Sequence, residues 1–224
     1  MRFPSWLGLE LIEVSQREKW IATCGGGLSI LVLISISTWA LPVPDVVAVV
    51  TSMGASAVLL FGVPHGPLSQ PWPVMAGHLF SAVIGVTCAQ LIPNSFMAAA
   101  CAVGVSIGVM MQFKCIHPPG GATALAAVLG GPAIRDLGYW YVLCPVAVNA
   151  SLMAVMAVVM NSPFAWRRYP ASLSHPPEIG HTHQKTPTHD EILAAIRSLD
   201  SFVDIDEEDL MYLVERLAGP QQAP

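Results

Sequence analysis

From Trp20 to Trp166 the chain carries only four charged side chains, Asp45, Lys114, Arg135 and Asp136. All other charges lie in the first nineteen residues or beyond Trp166. A soluble domain of this size is charged along its whole length. A long run of Ala, Val, Leu, Gly and Met with so few charges belongs in lipid, where ionised groups are costly and backbone polar groups must be satisfied within the protein. The formal net charge of −5 therefore describes the ends of the chain and not its middle.

A helical span needs about 20 apolar residues. Five stretches meet this: 20–39, 46–63, 74–92, 95–113 and 141–162. Pro42, Pro64, Pro93 and Pro163 close the first, second, third and last. Pro145 falls in the first turn of the last stretch, where proline is tolerated. Trp20, Trp39, Trp72, Trp140 and Trp166 sit at the expected ends, with Tyr139, Tyr141 and Tyr169 nearby. Amphipathic rings at headgroup depth form such a belt.

Residues 116–134, IHPPGGATALAAVLGGPAI, are apolar but interrupted by Pro and Gly at both ends. The clean helical part is too short to cross alone and reads as a half-helix. Irregular backbone at membrane depth survives where protein buries it or water reaches it. Arg17 and Lys19 precede the first span, and Arg167 and Arg168 follow the last. Both ends are thus expected in the cytoplasm, which demands an even number of crossings. The expected fold is all-α: a polytopic helical membrane protein with about six crossings, one of them broken. Lys114 then lies on the cytoplasmic side and Arg135–Asp136 outside. The rival is a re-entrant loop with five crossings, which puts one arginine cluster on the wrong side.

The expected organisation is a cytoplasmic or interfacial segment at 1–19, a transmembrane domain at 20–166, a linker at 167–189 and a cytoplasmic helical hairpin at 190–219. Residues 3–13 suit a short interfacial helix. The hairpin carries the apolar positions Ile192, Ile196, Leu199, Leu210, Leu213, Val214 and Leu217. It is too small for its own core and needs another surface or a second subunit.

The richest chemistry lies in Lys114-Cys115-Ile116-His117-Pro118-Pro119-Gly120-Gly121-Ala122-Thr123. The two prolines are expected to stop the fourth helix, the two glycines to turn the chain, and a new helix to begin near Gly121. A helix N-terminus presents unpaired amides and partial positive charge to an anion. Thr123 adds a hydroxyl, His117 one or two ring N–H groups, and Lys114 positive potential at the mouth. The competing reading is a break that serves only helix packing. A second break, 63–73, holds His65, Ser69 and Gln70, which either form the opposite wall of the site or an ordinary turn. His78, in the third span, either faces a polar pathway or packs as a satisfied histidine. Gly54-Ala55-Ser56 and Gly104-Val105-Ser106 lie fifty residues apart, and each leads into a helix, a His-Pro break and another helix, hinting at two parallel units. The glycines at 25–27, and Gly104 with Gly108, suit close packing within the chain or between subunits.

Other classes are excluded or disfavoured. The five cysteines, Cys24, Cys88, Cys101, Cys115 and Cys144, form no C-x-x-C pair and read as apolar packing residues. His175, His181, His183 and His189 lie in the linker without a helical scaffold for a metal. The acidic run 204–209 suits a helix N-terminus better than a calcium loop. No basic stripe suggests nucleic acid, and no nucleophile motif, phosphate loop or intramembrane carboxylate pair suggests an enzyme. No cofactor is implied.

The stretch from His117 to Leu125, together with 54–61 and the 64–73 loop, resembles the HPP family of integral membrane proteins, named for this His-Pro-Pro motif. The similarity covers about residues 15–165. That family is usually described with four transmembrane helices, fewer than the six crossings expected here. Plant-chloroplast and cyanobacterial relatives are associated with nitrite transport. The resemblance therefore implies a transporter or channel for a small inorganic anion, nitrite first, in a bacterial inner membrane. A chain of this size is expected to act as a homo-oligomer. The alternative is a non-transporting membrane scaffold or sensor working through the tail hairpin.

Overall fold

Small residues and short turns set the direction of every helix. The computed structural model describes residues 14–40 and 43–173, with the backbone alone for 39–40 and 43–49. The expected interfacial helix at 3–13, the tail histidines, the acidic run and the hairpin at 190–219 lie outside the described residues. All regular structure among the described residues is helical: α1 Gln16–Ala40, α2 Val43–Gly62, α3 Pro71–Leu91, α4 Ser95–Gln112, α5 Pro118–Leu129, α6 Pro132–Leu137 and α7 Val148–Asn161. Wider turns at Val142–Ala147 lead into α7, broken by non-helical Cys144 beside Pro145. The helices from Ile21 onward pack as one unit.

Among the described residues four helical stretches are long and apolar enough to cross a membrane: Gln16–Thr38, Pro71–Leu91, Ser95–Gln112 and Val142–Asn161. α2 has 20 residues, and Asp45 is its one charged residue. α5, with 12 residues, is about 18 Å long at 1.5 Å per residue. That is well short of a hydrocarbon core about 30 Å thick.

Helix ends follow local chemistry. Ser15 Oγ accepts the Glu18 amide at 3.2 Å and caps α1. Asn94 Oδ1 accepts the amides of Phe96 and Met97, each at 3.0 Å, so the chain reverses within three residues of α3. α4 ends one turn before the prolines. Lys114 takes φ 52°, the left-handed conformation that closes many helices. Pro118 and Pro119 instead fill the first two positions of α5, with His117 as its N-cap. Proline fits there because a first-turn amide has no intrahelical partner to lose. The helix therefore starts three residues ahead of its expected start near Gly121.

Side-chain pairings give the directions. Gly25 lies against Phe61 while Leu33 shares a core with Met53, so α1 and α2 are antiparallel. Ser56 meets His78, and Leu60 packs with Val74, so α2 and α3 are antiparallel. Ser81 meets Met110, and Cys88 packs with Ala98, so α3 and α4 are antiparallel. Gly77 faces His117 and Gly85 faces Ala124, so α5 runs parallel to α3. Met53 shares a core with Met153, and the Leu60 carbonyl accepts from Asn161, so α7 runs parallel to α2. α1, α3 and α5 thus point one way; α2, α4 and α7 point the other.

The distribution of polarity is the reverse of a soluble protein's. Phe96 is 84% exposed, Leu91 74% and Val58 71%, while Ser56, His78, Ser81, Ser106, His117, Thr123, Asn149 and Asn161 are buried. Apolar side chains outside and hydroxyls, amides and imidazoles inside make a body whose solvent is lipid.

Candidate functional site

Three helices and one loop bring a chain of polar groups together inside this body. Ser56 of α2 places its Oγ 2.9 Å from His78 Nε2 and 3.0 Å from His117 Nε2. His78 Nδ1 lies 2.7 Å from Thr123 Oγ1 on α5. His117 Nδ1 lies 2.9 Å from the Leu68 carbonyl in the 63–73 break. The two imidazoles meet edge to face, with centroids 4.9 Å apart and planes at 67°. Ser56, His78, His117 and Thr123 have no solvent exposure.

Counting donors fixes the protons. A carbonyl only accepts, so His117 donates Nδ1–H to Leu68 and, when neutral, its Nε2 accepts. Ser56 has one hydroxyl proton and gives it to that Nε2. It has none left for His78, which must therefore donate Nε2–H to Ser56. His78 Nδ1 is then an acceptor and takes the Thr123 hydroxyl proton. One directional chain results: Thr123 to His78 to Ser56 to His117 to Leu68. Every ring nitrogen is satisfied, as buried polar groups require.

Close backbone packing holds the chain in register. A Cβ on Gly77 would lie 2.6 Å from His117 Cβ, and one on Gly120 would lie 2.7 Å from the Gly77 carbonyl and 2.8 Å from Ser81 Oγ. A Cβ on Gly85 would lie 2.7 Å from the Ala124 carbonyl. α3 and α5 therefore touch along glycine, the geometry small residues permit in membrane bundles. Tyr141, just ahead of α7, donates its hydroxyl to the Thr123 carbonyl at 3.1 Å. Ser106 Oγ on α4 is buried and has no hydrogen-bond partner.

The sequence-derived residues separate into groups. His117 and Thr123 are in the chain. Gly120 packs against α3 and its amide bonds the His117 carbonyl at 2.8 Å. Gly121 has nothing within 4 Å of a Cβ position and borders open space. Pro118 is exposed, Pro119 buried and Lys114 exposed. The two prolines bring no amide donors to the first turn, so side chains dominate the polar groups there. The second break does face the first: besides the His117–Leu68 bond, Trp72 Nε1 donates to the Phe113 carbonyl at 3.1 Å. Its own polar side chains brace the loop. Ser69 Oγ donates to the Leu59 carbonyl, and Gln70 Nε2 to the carbonyls of Pro64 and Gly66. His65 Nε2 bonds the Arg168 carbonyl at 3.0 Å.

Ser56, His78 and Tyr141 complete the arrangement and were not among the site residues expected from sequence. An ionisable group in mid-span is the signal that pointed to His78. The paired Gly-x-Ser stretches pointed to Ser56 and Ser106, both buried, on the parallel helices α2 and α4. Among the described residues no three His, Cys, Asp or Glu side chains come together as a metal cage.

Beyond the far end of α5 lies a cleft of about 420 Å³. Its walls include Ser95, Val128, Gly131, Arg135 and Asp136. Arg135 donates to Ser95 Oγ at 2.9 Å and to the Val128 carbonyl at 3.2 Å. Val128 is five residues, about 8 Å of helix rise, beyond Thr123. After α7, Arg167 folds back into protein and donates to the Phe61 carbonyl at 2.7 Å and to Asn161 Oδ1 at 3.1 Å. Burial lowers its guanidinium to about 10. Tyr169 donates to the Ser69 carbonyl at 2.8 Å, and burial pushes its phenol up.

A helical body with an apolar exterior and an interior polar chain is an integral membrane protein. The HPP transmembrane-region family matches residues 12–170, and the chain belongs to that family. Two transmembrane proteins of Dictyostelium discoideum are similar to it. One is 39% identical over 181 residues, covering 75% of this chain and 61% of the relative. The other is 37% identical over 174 residues, covering 75% and 56%. The chain thus spans about three-fifths of the length of these relatives. No solved structure matches.

Proposed function

We propose that the protein transports a small inorganic anion across the bilayer, with nitrite the first candidate. The observation that carries this reading is the buried hydroxyl–imidazole chain from Thr123 to Leu68. Ionisable groups at membrane depth are costly and are retained mainly for function. Hydroxyl and imidazole donors suit a monoanion, and no carboxylate stands in the way: Asp136 is the only acidic residue between Val50 and Leu173. His117 and Thr123 bind the anion by giving up the bonds they make to Ser56 and His78, and Gly121, which borders open space in the first turn of α5, lets it approach. Pro118 and Pro119 shape the break, and Lys114 supplies positive potential at one mouth. His65, Ser69 and Gln70 brace the facing loop.

The alternating helix directions support six crossings, with α5 the short one, and termini on one side. By the arginine and lysine pattern that side is the cytoplasm, here of a bacterial inner membrane. The exposed Gly104–Gly108 row suits contact between copies in a homo-oligomer. The test is nitrite flux into proteoliposomes, with chloride, nitrate and formate as competitors. Saturable uptake that disappears in His117→Ala, while the variant still inserts and folds, supports the reading; undiminished uptake in that variant refutes the site.

One observation favours a second reading. Gly77 and Gly120 are pressed together, as in a break that only packs helices. The protein is then a scaffold or sensor acting through its tail. In that case deletion of 190–219 abolishes function and substitutions at His117 leave it intact.

A further inference from the structure

The hydroxyl–imidazole chain has a second arrangement of protons built into it. Ser56 Oγ lies 3.3 Å from the Ser52 carbonyl as well as beside the two histidines. Thr123 Oγ1 lies 3.4 Å from the Pro119 carbonyl as well as beside His78. When a proton binds His117 Nε2, the Ser56 hydroxyl turns to Ser52. Its two lone pairs then accept N–H bonds from both histidines. When a proton binds His78 Nδ1, Thr123 accepts that N–H and turns its own hydroxyl to Pro119. Each added proton is accommodated by rotation of a hydroxyl, with no heavy atom displaced. Both carbonyls lie four residues back on the same helix, the usual second partner of a helical serine or threonine hydroxyl.

The surroundings decide what balances the added charge. α2 brings Ser52 and Ser56 toward the histidines and has no titratable side chain over Val50–Gly62. α4 brings Met110, α5 brings Thr123, and the segment before α5 brings the buried thiol Cys115. Ahead of α7 stands the Tyr141 phenol, already donating to Thr123. None of these is a carboxylate, and Asp136 lines the separate cleft at the far end of α5. None of the side chains just named gives a protonated imidazole a counter-ion. An anion bound against it supplies one. Each ligand then raises the affinity of the other by the same factor, because coupling between two ligands is reciprocal.

We infer that the site takes up one proton with each anion, so that transport is an electroneutral proton–anion symport through the Ser56–His78–His117–Thr123 chain; this rests on the anion-transport reading above. On the loading side a proton leaves water and forms an N–H bond at His117 Nε2 or His78 Nδ1. On the releasing side that bond breaks, the proton returns to water and the anion departs unchanged. No net charge crosses.

The experiment uses the full chain in liposomes containing a pH-reporting dye, with nitrite as the probe near neutral pH. Flux in protein-free vesicles is subtracted to remove diffusion of nitrous acid. Nitrite uptake is followed under an imposed pH gradient and, separately, under an imposed potassium diffusion potential. The expected result is one proton delivered per nitrite, uptake accelerated by an alkaline interior, and no response to potential. Ser56→Ala and the isosteric Thr123→Val are each expected to cut gradient-driven accumulation by about tenfold, the size of one charge-assisted hydrogen bond. Nitrite flux that follows the potential without acidifying the interior overturns the symport and leaves anion transport standing. Unaltered coupling in both variants overturns the role of the chain. No flux under either gradient overturns both readings.

Discussion

His78 and His117 turn their Nε2 atoms toward the single hydroxyl of Ser56, at 2.9 and 3.0 Å. One proton must serve two rings, so the two histidines adopt different tautomers although their surroundings are similarly dry. Ser56→Ala removes the shared hydroxyl and leaves two buried ring nitrogens without it. Leaving a buried polar group unsatisfied costs about 1–3 kcal/mol, and thermal unfolding in detergent should fall accordingly. Pairing Ser56→Ala with His117→Ala should give less than the sum of the two losses, since both remove one interaction. Strict additivity would mean that the hydroxyl does not link the rings.

The two adjacent glycines of the motif should behave oppositely. At Gly120 a methyl group would sit 2.7 Å from the Gly77 carbonyl, which cannot retreat without moving α3. Overpacking of this kind costs about 1–3 kcal/mol. At Gly121 a Cβ meets nothing within 4 Å, and alanine favours helix over glycine by about 1 kcal/mol. Gly120→Ala should therefore unfold at lower temperature than the native chain, and Gly121→Ala at the same temperature or higher. An equal fall in both would show that the start of α5 needs glycine at both positions whatever each one touches.

Much of this was legible in the residues. The scarcity of charge from Trp20 to Trp166 identified the membrane body, and the proline-glycine interruptions located α5 as a short helix. The fourth span was placed within a residue of its observed end at Gln112, but its stop was assigned to the prolines, whereas left-handed Lys114 closes the helix; lysine carries no sequence signal for such a conformation. The break at Cys144 was missed because proline near a helix start is ordinarily accommodated. The pairing of His117 with His78 depends on glycine-to-glycine contact between α3 and α5, a tertiary relationship that spacing along the chain does not encode. His65, Ser69 and Gln70 have polar side chains suited to binding, yet their hydrogen bonds go to backbone carbonyls of neighbouring turns.

Trp72 ties the two breaks at their rim through its indole N–H and the Phe113 carbonyl. Trp72→Phe keeps an aromatic ring at the end of α3 and deletes the donor. An exposed bond of this kind contributes about 0.5–1.5 kcal/mol, so the melting temperature should fall only slightly. The local effect should be larger. Amide hydrogen exchange in Lys114, Cys115 and Ile116 should quicken while exchange in the middle of α3 stays unchanged. Equal acceleration in both would mean that the indole supports the whole helix and not the break alone.

Arg167 fastens the chain after α7 to the end of α2, bonding the Phe61 carbonyl and Asn161 Oδ1, while Asn161 donates to the Leu60 carbonyl. A guanidinium spans both acceptors with a rigid fork, and a lysine ammonium is a point charge on a flexible stem. Arg167→Lys should therefore lose about 1–3 kcal/mol, read as a lower unfolding temperature. The pH dependence has a definite sign. Burial lowers the folded-state value to about 10, below that of a free guanidinium. Below about 10 the group is charged in both states, and the cost of burying that charge is fully present. As pH rises from there toward the ordinary guanidinium range the folded state releases its proton first, so stability contributed by this group increases. Across acidic to neutral pH the difference between Arg167→Lys and the native chain should stay constant; a difference that grows or shrinks there would assign the titration to another group.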